Sequence, residues 1–421
     1  MTAPPTTVDT ARRAATTASP PATGGPRRRD AAHEASDAAR PAPQDAAREA
    51  PRTPRPTGQG EPHARTAGTL TAGARASGAG VSGARASAAG DVPRVLERCR
   101  ALVRPALEEA VGRLHPWVGE MAAYSFGWCE AGGAPAVASG GKGVRQALAV
   151  LGAEAAGAPE RAGVAAAVAV ELVHTFSLLH DDIMDGDGER RGRPTVWKAY
   201  GTGPAVLAGD ALFALAVETL AAEPGGARAV RTLSVALGDL VRGQADDLLF
   251  ADRPWTGPER VRPDAYRAMA EHKTGALLGC AAALGAVLGG AGPGTVAALD
   301  RAGRHLGVAF QIVDDVLGIW GDPRVTGKPV HGDLRERKKT FPVLVALGSP
   351  MGGRIAGLLE AGDAPETAAA LIEEAGGRSA ALAEARRHIT AVETALADVP
   401  STAGAADELR SLLGYLVRRD V

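Results

Sequence analysis

Two apolar, helix-compatible runs in this chain each close on a pair of aspartates, and that repetition restricts the fold more than any other feature. The first run lies in Glu171–Thr195, ELVHTFSLLHDDIMDGDGERRGRPT; the second is GVAFQIVDDVLGIWGDP, with Asp314 and Asp315 at its end. On an α-helix Asp181 and Asp185 project from one face with Asp182 one step round, so the spacing predicts three carboxylates converging within a turn. Like charges so close repel, and hard oxygen ligands of this kind suit Mg²⁺ shared with substrate phosphates. A lone acidic helix end is ordinarily a solvated face. Two of them facing each other across a helical bundle would instead clamp a metal-bridged diphosphate through Asp181, Asp182, Asp185, Asp314 and Asp315. His174 and Ser177 fall on nearly the same stripe as Asp181, which reads as a cleft wall. Arg190 and Arg191 follow in a turn-like context, so cationic groups stand beside the acids.

The remaining pattern is helical. From Val92 onward Val95, Leu96, Cys99, Leu102 and Val103 recur at three- and four-residue intervals, and Ala/Leu/Val stretches alternate with joints such as Gly157-Ala158-Pro159 and Gly292-Pro293-Gly294. Few runs alternate as strands do, so the expectation is an all-α, many-helix bundle with a central substrate cavity. The uncharged stretch from Gly275 to Leu299 is long enough to raise a membrane span, but its glycines and Gly292-Pro293-Gly294 break favour a helix hidden in the bundle. Lys+Arg 47 against Asp+Glu 48 gives no support to nucleic-acid binding. Cys99, Cys129 and Cys280, without CxxC spacing, read as buried residues of a reduced, cytoplasmic protein. Residues 1–91 are Ala/Pro/Thr/Ser/Gly/Arg-rich and hold no aromatic, so they are expected to form a disordered leader ahead of a catalytic domain at 92–421.

Lysine usage adds an independent signal. Only Lys142, Lys198, Lys273, Lys328, Lys338 and Lys339 are lysine among the 47 basic residues. Where arginine is otherwise preferred, a retained lysine points to a need for a compact ammonium, and Lys142, Lys273, Lys328 and Lys338 each stand beside Gly, Thr or Asp in phosphate-site-like contexts.

These residues resemble the trans-isoprenyl diphosphate synthase, or polyprenyl synthetase, family. Asp181-Asp182-Ile183-Met184-Asp185 is similar to its first aspartate-rich motif, and Arg190 to Thr195 to the Arg-Arg-Gly-x-Pro-Thr that follows. Gly140 to Arg145 resembles GGKxxR, Gly243 to Leu248 resembles GQxxDL, and Lys273-Thr274-Gly275 the KTG segment. Phe310 to Asp315 resembles the second aspartate-rich motif, and Thr326-Gly327-Lys328 with Asp333 and Lys338 the closing basic loop. The chain departs from the pattern twice: Gln146 stands where Pro is usual, and Gly318 where the second motif has its last Asp.

The resemblance implies a Mg²⁺-dependent condensation of isopentenyl diphosphate with an allylic diphosphate by a homodimer. It assigns Lys142, Arg145, His174 and Arg191 to isopentenyl diphosphate. Arg190, Gln244, Lys273, Thr274, Gln311, Lys328 and Lys338 fall to the allylic diphosphate, and the five aspartates to metal. Phe176, five residues before the first Asp, with Ser177 beside it, implies a floor for the growing chain and a geranylgeranyl product, with farnesyl diphosphate second. A class I terpene cyclase shares the first motif but needs no second diphosphate site, against which Lys142, Arg145 and Arg191 speak. A non-catalytic subunit of a heteromeric synthase typically loses first-motif aspartates, which are intact. The leader resembles the extension of prenyltransferase cargo in encapsulin shells, which implies a shell partner and a place inside a protein nanocompartment.

Overall fold

The computed structural model describes residues 81–136, 141–326, 329–399 and 403–417. Their alanine-, leucine- and valine-rich stretches form helices α1 (Val81–Gly112), α2 (Pro116–Ser125), α3 (Val144–Ala155), α4 (Val164–Met184), α5 (Val196–Tyr200), α6 (Thr202–Ala221), α7 (Gly226–Ala251) and α8 (Pro263–Ala270). A π-helical turn at Glu271–Gly275 leads into α9 (Ala276–Leu288), α10 (Pro293–Trp320), α11 (Pro323–Thr326), α12 (Gly332–Arg335) and α13 (Phe341–Ala346). The bundle is completed by α14 (Gly352–Ala361), α15 (Pro365–Glu374), α16 (Gly377–Ala397) and α17 (Ala403–Val417). Among the described residues the only named strands are β1 (Glu189–Arg190) and β2 (Arg193–Pro194), a short antiparallel hairpin. The all-α expectation holds.

Helix α9 is the axis of the fold. Every residue from Ala276 to Val287 is buried, and α3, α4, α7 and α10 all pack around it. The uncharged stretch singled out above is thus divided between the π turn, α9 and the start of α10, the break falling at Gly289–Gly292. Two other helices, Glu160–Met184 and Thr202–Ala221, are long and apolar enough to cross a membrane by length and composition. The first is the wall of the site described below; the second leaves Val206, Leu207 and Phe213 exposed.

Most of the leader, residues 1–80, lies outside the described residues. The boundary expected at Val92 falls inside α1, whose backbone is helical from Val81. Val92, at that boundary, is fully buried. Alanine and arginine are good helix formers even where nothing is buried. Farther along α1, Arg98 ion-pairs with Glu154, Glu160 and Glu408 at 2.6–2.9 Å, which ties the first helix to α3 and to α17 at the other end of the chain.

Candidate active site

The two acid pairs occupy the last turn of α4 and the second half of α10, helices that both pack on α9. The second pair does not end its helix, as the sequence suggested: α10 runs on to Trp320. In each pair the two aspartates part company. Asp181 and Asp314 are half-buried, whereas Asp182 and Asp315 are 4% and 5% exposed. Neighbouring residues on a helix point about 100° apart, so one member of each pair faces the cleft and the other enters the protein.

Asp182 accepts from Arg190 Nε at 2.7 Å and pairs with Arg190 Nη2 at 2.6 Å. Arg190 reaches it because Arg191 and Gly192 both take positive φ, 56° and 72°, the tight hairpin turn that joins β1 to β2. Asp315 accepts from the Tyr266 hydroxyl, from Phe341 N at 2.8 Å and, more weakly, from Gln311 Nε2 at 3.5 Å. Burial pushes its carboxyl up to about 8 against the pull of these donors. The five aspartates of the two acidic clusters thus differ in their protein surroundings. Asp182 and Asp315 accept from protein donors, while Asp181 and Asp314 are half-buried and Asp185 is exposed.

Asp185 caps α4 and is exposed. Burial, with the repulsion of Asp185, holds the Asp181 carboxyl up at about 6, and Lys273 opposes the rise. Among the described residues no group of three or more His, Cys, Asp or Glu forms a ready metal cage. The donor set nevertheless fits Mg²⁺, which characteristically takes one or two carboxylates and completes its octahedron with water and substrate phosphate oxygens.

Lys273 and Thr274 project from the π turn, a feature frequent at functional sites. Gly243 makes this placement possible: a Cβ there would overlap the backbone nitrogen of Lys273, so α7 packs flush on the turn. Lys273 Nζ pairs with Asp247 Oδ2 at 2.6 Å, and Thr274 Oγ1 donates to Gln311 Oε1 at 3.0 Å. Gln244, one turn before Asp247, is buried with its Nε2 lacking a hydrogen-bond partner. Lys338 lies at the mouth, 2.6 Å from Glu336 and 3.9 Å from Asp333, and its charge is felt by Asp185. Lys328, and the Gly140 that opens the GGKxxR stretch, lie outside the described residues.

A cationic pocket adjoins the acids. Gly143 takes φ 71° to start α3, which sets Arg145 in its first turn. Arg145 Nη1 donates to His174 Nε2 at 3.2 Å, and a Cβ on Gly141 would sit 3.2 Å from Arg191 Nη2. Arg145, His174 and Arg191 thus come together, with Lys142 exposed on the loop between Gly141 and Gly143. Burial, together with Arg145, Arg191 and Arg190, holds His174 well below its ordinary value. Burial also brings Arg145 down to about 10, although Glu171 supports its charge. The ring of His174 is expected to remain neutral well below pH 6.5 in the free protein; a ¹⁵N NMR titration showing an imidazolium at pH 6 would contradict this. Gln146, in place of the usual Pro, is buried, and its Oε1 has no hydrogen-bond partner among the described residues.

Phe176 packs edge-on against His180, ring centres 4.9 Å apart, and against Phe213 of α6 at 5.7 Å. Ser177 donates to His174 O at 2.9 Å. A cavity lined by Tyr124, Phe126, Leu178, Leu179, Arg190 and Arg191 opens between α2, α4 and the hairpin, one face round α4 from the Ser177 stripe.

The polyprenyl synthetase family pattern matches residues 128–373, which contain both acid pairs, the π turn and the cationic pocket. This chain belongs to the polyprenyl synthetase family. It is 44% identical over 337 residues to a (2E,6E)-farnesyl diphosphate synthase of Mycobacterium tuberculosis, covering 77% of this chain and 92% of that one. It is 45% identical over 314 residues to a geranylgeranyl diphosphate synthase of the same species, covering 72% and 88%. A polyprenyl synthetase of Streptomyces coelicolor A3(2) superposes with TM-score 0.74 at 47% identity, over 78% of this chain and 100% of that one. Like other polyprenyl synthetases, this one is an enzyme. Sequence reasoning had not assigned roles to Asp247 and Tyr266: Asp247 stands inside the quoted GQADDL stretch, but nothing local marks Tyr266, which meets Asp315 from α8.

Proposed function

We propose that this polyprenyl synthetase condenses isopentenyl diphosphate with an allylic diphosphate in a Mg²⁺-dependent reaction, and that geranylgeranyl diphosphate is its main product. The observation that carries this reading is the adjacency of two unlike sites. Asp181, Asp185 and Asp314 offer hard oxygens to a metal-bound diphosphate, while Arg145, Arg191 and Lys142 offer cations to a second diphosphate that needs no metal.

Mg²⁺, when bound, supplies Lewis-acid stabilisation of the leaving diphosphate. The protein's own part is arrangement. Arg190 and Tyr266 fix the inward aspartates, Asp182 and Asp315, so that Asp181 and Asp314 keep their orientation. Lys273, steered by Asp247, and Lys338 would hold the allylic diphosphate, with Lys328 assigned to it by the family resemblance. Gln311, Thr274 and Gln244 are neutral, so they can stand near a developing allylic cation without repelling it. Neutral His174, beside Arg145, would hydrogen-bond the isopentenyl diphosphate; as the allylic C–O bond breaks and diphosphate leaves, the isopentenyl double bond attacks the allylic cation, and the proton then lost goes to the departing diphosphate.

The chain-length reading rests on Phe176. It is half-buried and wedged against His180 and Phe213, below Ser177 on α4. Phe176→Ala should lengthen the products beyond C20, read by mass spectrometry of the dephosphorylated alcohols; an unchanged distribution would remove Phe176 from the account. Farnesyl diphosphate is the second reading, favoured by the similarity to a farnesyl diphosphate synthase given above. A homodimer would cover the apolar side chains that α6 and α7 expose, Leu207, Val235, Val241 and Leu249 being 49–60% accessible; sedimentation as a monomer at micromolar concentration would exclude it. Residues 1–91 are proposed to dock a shell protein, which co-purification with and without that segment tests.

A further inference from the structure

Three consecutive basic residues follow α12, and only the middle one, Lys338, has a place in the site described above. Arg337 takes φ 56° directly after Glu336, the C-cap of α12. Its N donates to Leu334 O at 3.2 Å, and Lys338 N donates to Asp333 O at 2.9 Å. Glycine is the usual residue at such a left-handed helix end, because a Cβ there crowds the following carbonyl. What the arginine gains is a partner for its side chain. Arg337 Nη2 donates to Glu360 O at 2.9 Å, in the last turn of α14. A Cβ on Gly362, the C-cap of α14, would sit 2.8 Å from the same Nη2 and 3.2 Å from Nε, so the guanidinium passes close over a glycine.

Lys339 turns to a different helix. Its Nζ donates at 2.8 Å to the carbonyl of Ala251, the last residue of α7, and stands 4.1 Å from the ring centre of the buried Trp255. Both anchors are of one kind: the last carbonyls of a helix have no donor within it, and the negative end of its dipole attracts a cation. Arg337 and Lys339 thus grip two helix ends, α14 and α7, on either side of Lys338 in the chain. Two residues farther on, Phe341 N donates to Asp315 Oδ2 at 2.8 Å and fastens the segment again. Lys338, so held, rests on Glu336 at 2.6 Å, and its charge reaches Asp185 and Asp187 beside the first acid pair.

We propose that Arg337 and Lys339 are positioning residues that hold the Lys338 ammonium at the mouth of the cleft, by tying its loop to the C-terminal ends of α14 and α7. Neither one touches substrate. This inference rests on the assignment of Lys338 to the allylic diphosphate proposed above.

Calorimetry on the full-length protein tests it without turnover, through the Mg²⁺-dependent binding of dimethylallyl thiolodiphosphate, an analogue that does not ionise. Lys338→Ala should weaken this binding by about 10- to 100-fold, the range for losing a hydrogen bond between charged groups. Arg337→Gly keeps the left-handed turn without the guanidinium, and Lys339→Met keeps the apolar stem without the charge. Each should weaken binding by about 3- to 10-fold, since Lys338 must then be immobilised as the ligand arrives. Added to Lys338→Ala, neither should cost anything further, because a residue that acts through Lys338 has nothing left to act on. Binding of isopentenyl diphosphate without Mg²⁺ should keep its wild-type strength in both, which a general loosening of the fold would not allow. Wild-type affinity for the analogue in Arg337→Gly or Lys339→Met, or a loss of equal size with and without Lys338, would overturn the inference and leave the assignment of Lys338 standing. Wild-type affinity in Lys338→Ala would strike Lys338 from the site, and the inference with it.

Discussion

Asp181→Ala should lower turnover by about 10³-fold or more, the loss of one metal contact forfeiting several kcal/mol of transition-state stabilisation. The melting temperature should barely move, since among the described residues no hydrogen bond to the Asp181 side chain is seen and its removal relieves repulsion with Asp185. Steady-state turnover and a thermal melt on the same preparation separate the two quantities. A companion expectation concerns pH. Burial keeps the Asp181 carboxyl protonated up to about pH 6 in the free enzyme, so a cation must displace a proton below that value. The Mg²⁺ concentration for half-maximal activity should therefore rise as pH falls through 6, and a pH-independent requirement between 7 and 5 would contradict the placement of Asp181.

Asp315→Ala is expected to act on the other axis. It would strand the Tyr266 hydroxyl and the Phe341 N–H in the core without their acceptor, at about 1–3 kcal/mol each. Equilibrium denaturation should register that loss, and more strongly than in a truncated Asp314, which is only half-buried. Turnover should fall in both variants, with the larger loss of stability in Asp315→Ala. Equal stability of the two variants would mean that Asp315, like Asp314, faces the cleft, and would undo the division of labour within each acid pair.

That division is where the sequence stopped being legible. Helical periodicity located α4 and α10 and put both acid pairs on them, because a 3.6-residue repeat of Ala, Leu and Val is a local property. It could not decide which aspartate of a pair turns inward. That choice depends on Arg190, brought back by a two-residue turn, and on Tyr266 and Phe341, which come from α8 and α13. The cationic pocket was legible for the opposite reason: Arg145 follows directly on the loop that positions it, and Arg191 sits in a turn that the GRP sequence announces. Gly318 read as a departure from the family's second acidic motif while only its own helix was in view. With Asp333 in the space beside it, the glycine becomes a requirement. Likewise α1 starts ahead of the boundary expected at Val92, since helix formation by Ala and Arg leaves no apolar pattern to read.

The account stands most directly on one incubation. Purified full-length protein is given radiolabelled isopentenyl diphosphate with dimethylallyl, geranyl or farnesyl diphosphate, with Mg²⁺ or with EDTA, and the dephosphorylated products are separated by chain length. The prediction is extension of all three allylic substrates to a C20 alcohol with Mg²⁺ and none with EDTA. Label remaining wholly in isopentenyl diphosphate when Mg²⁺ is present, or undiminished extension in EDTA, would contradict it.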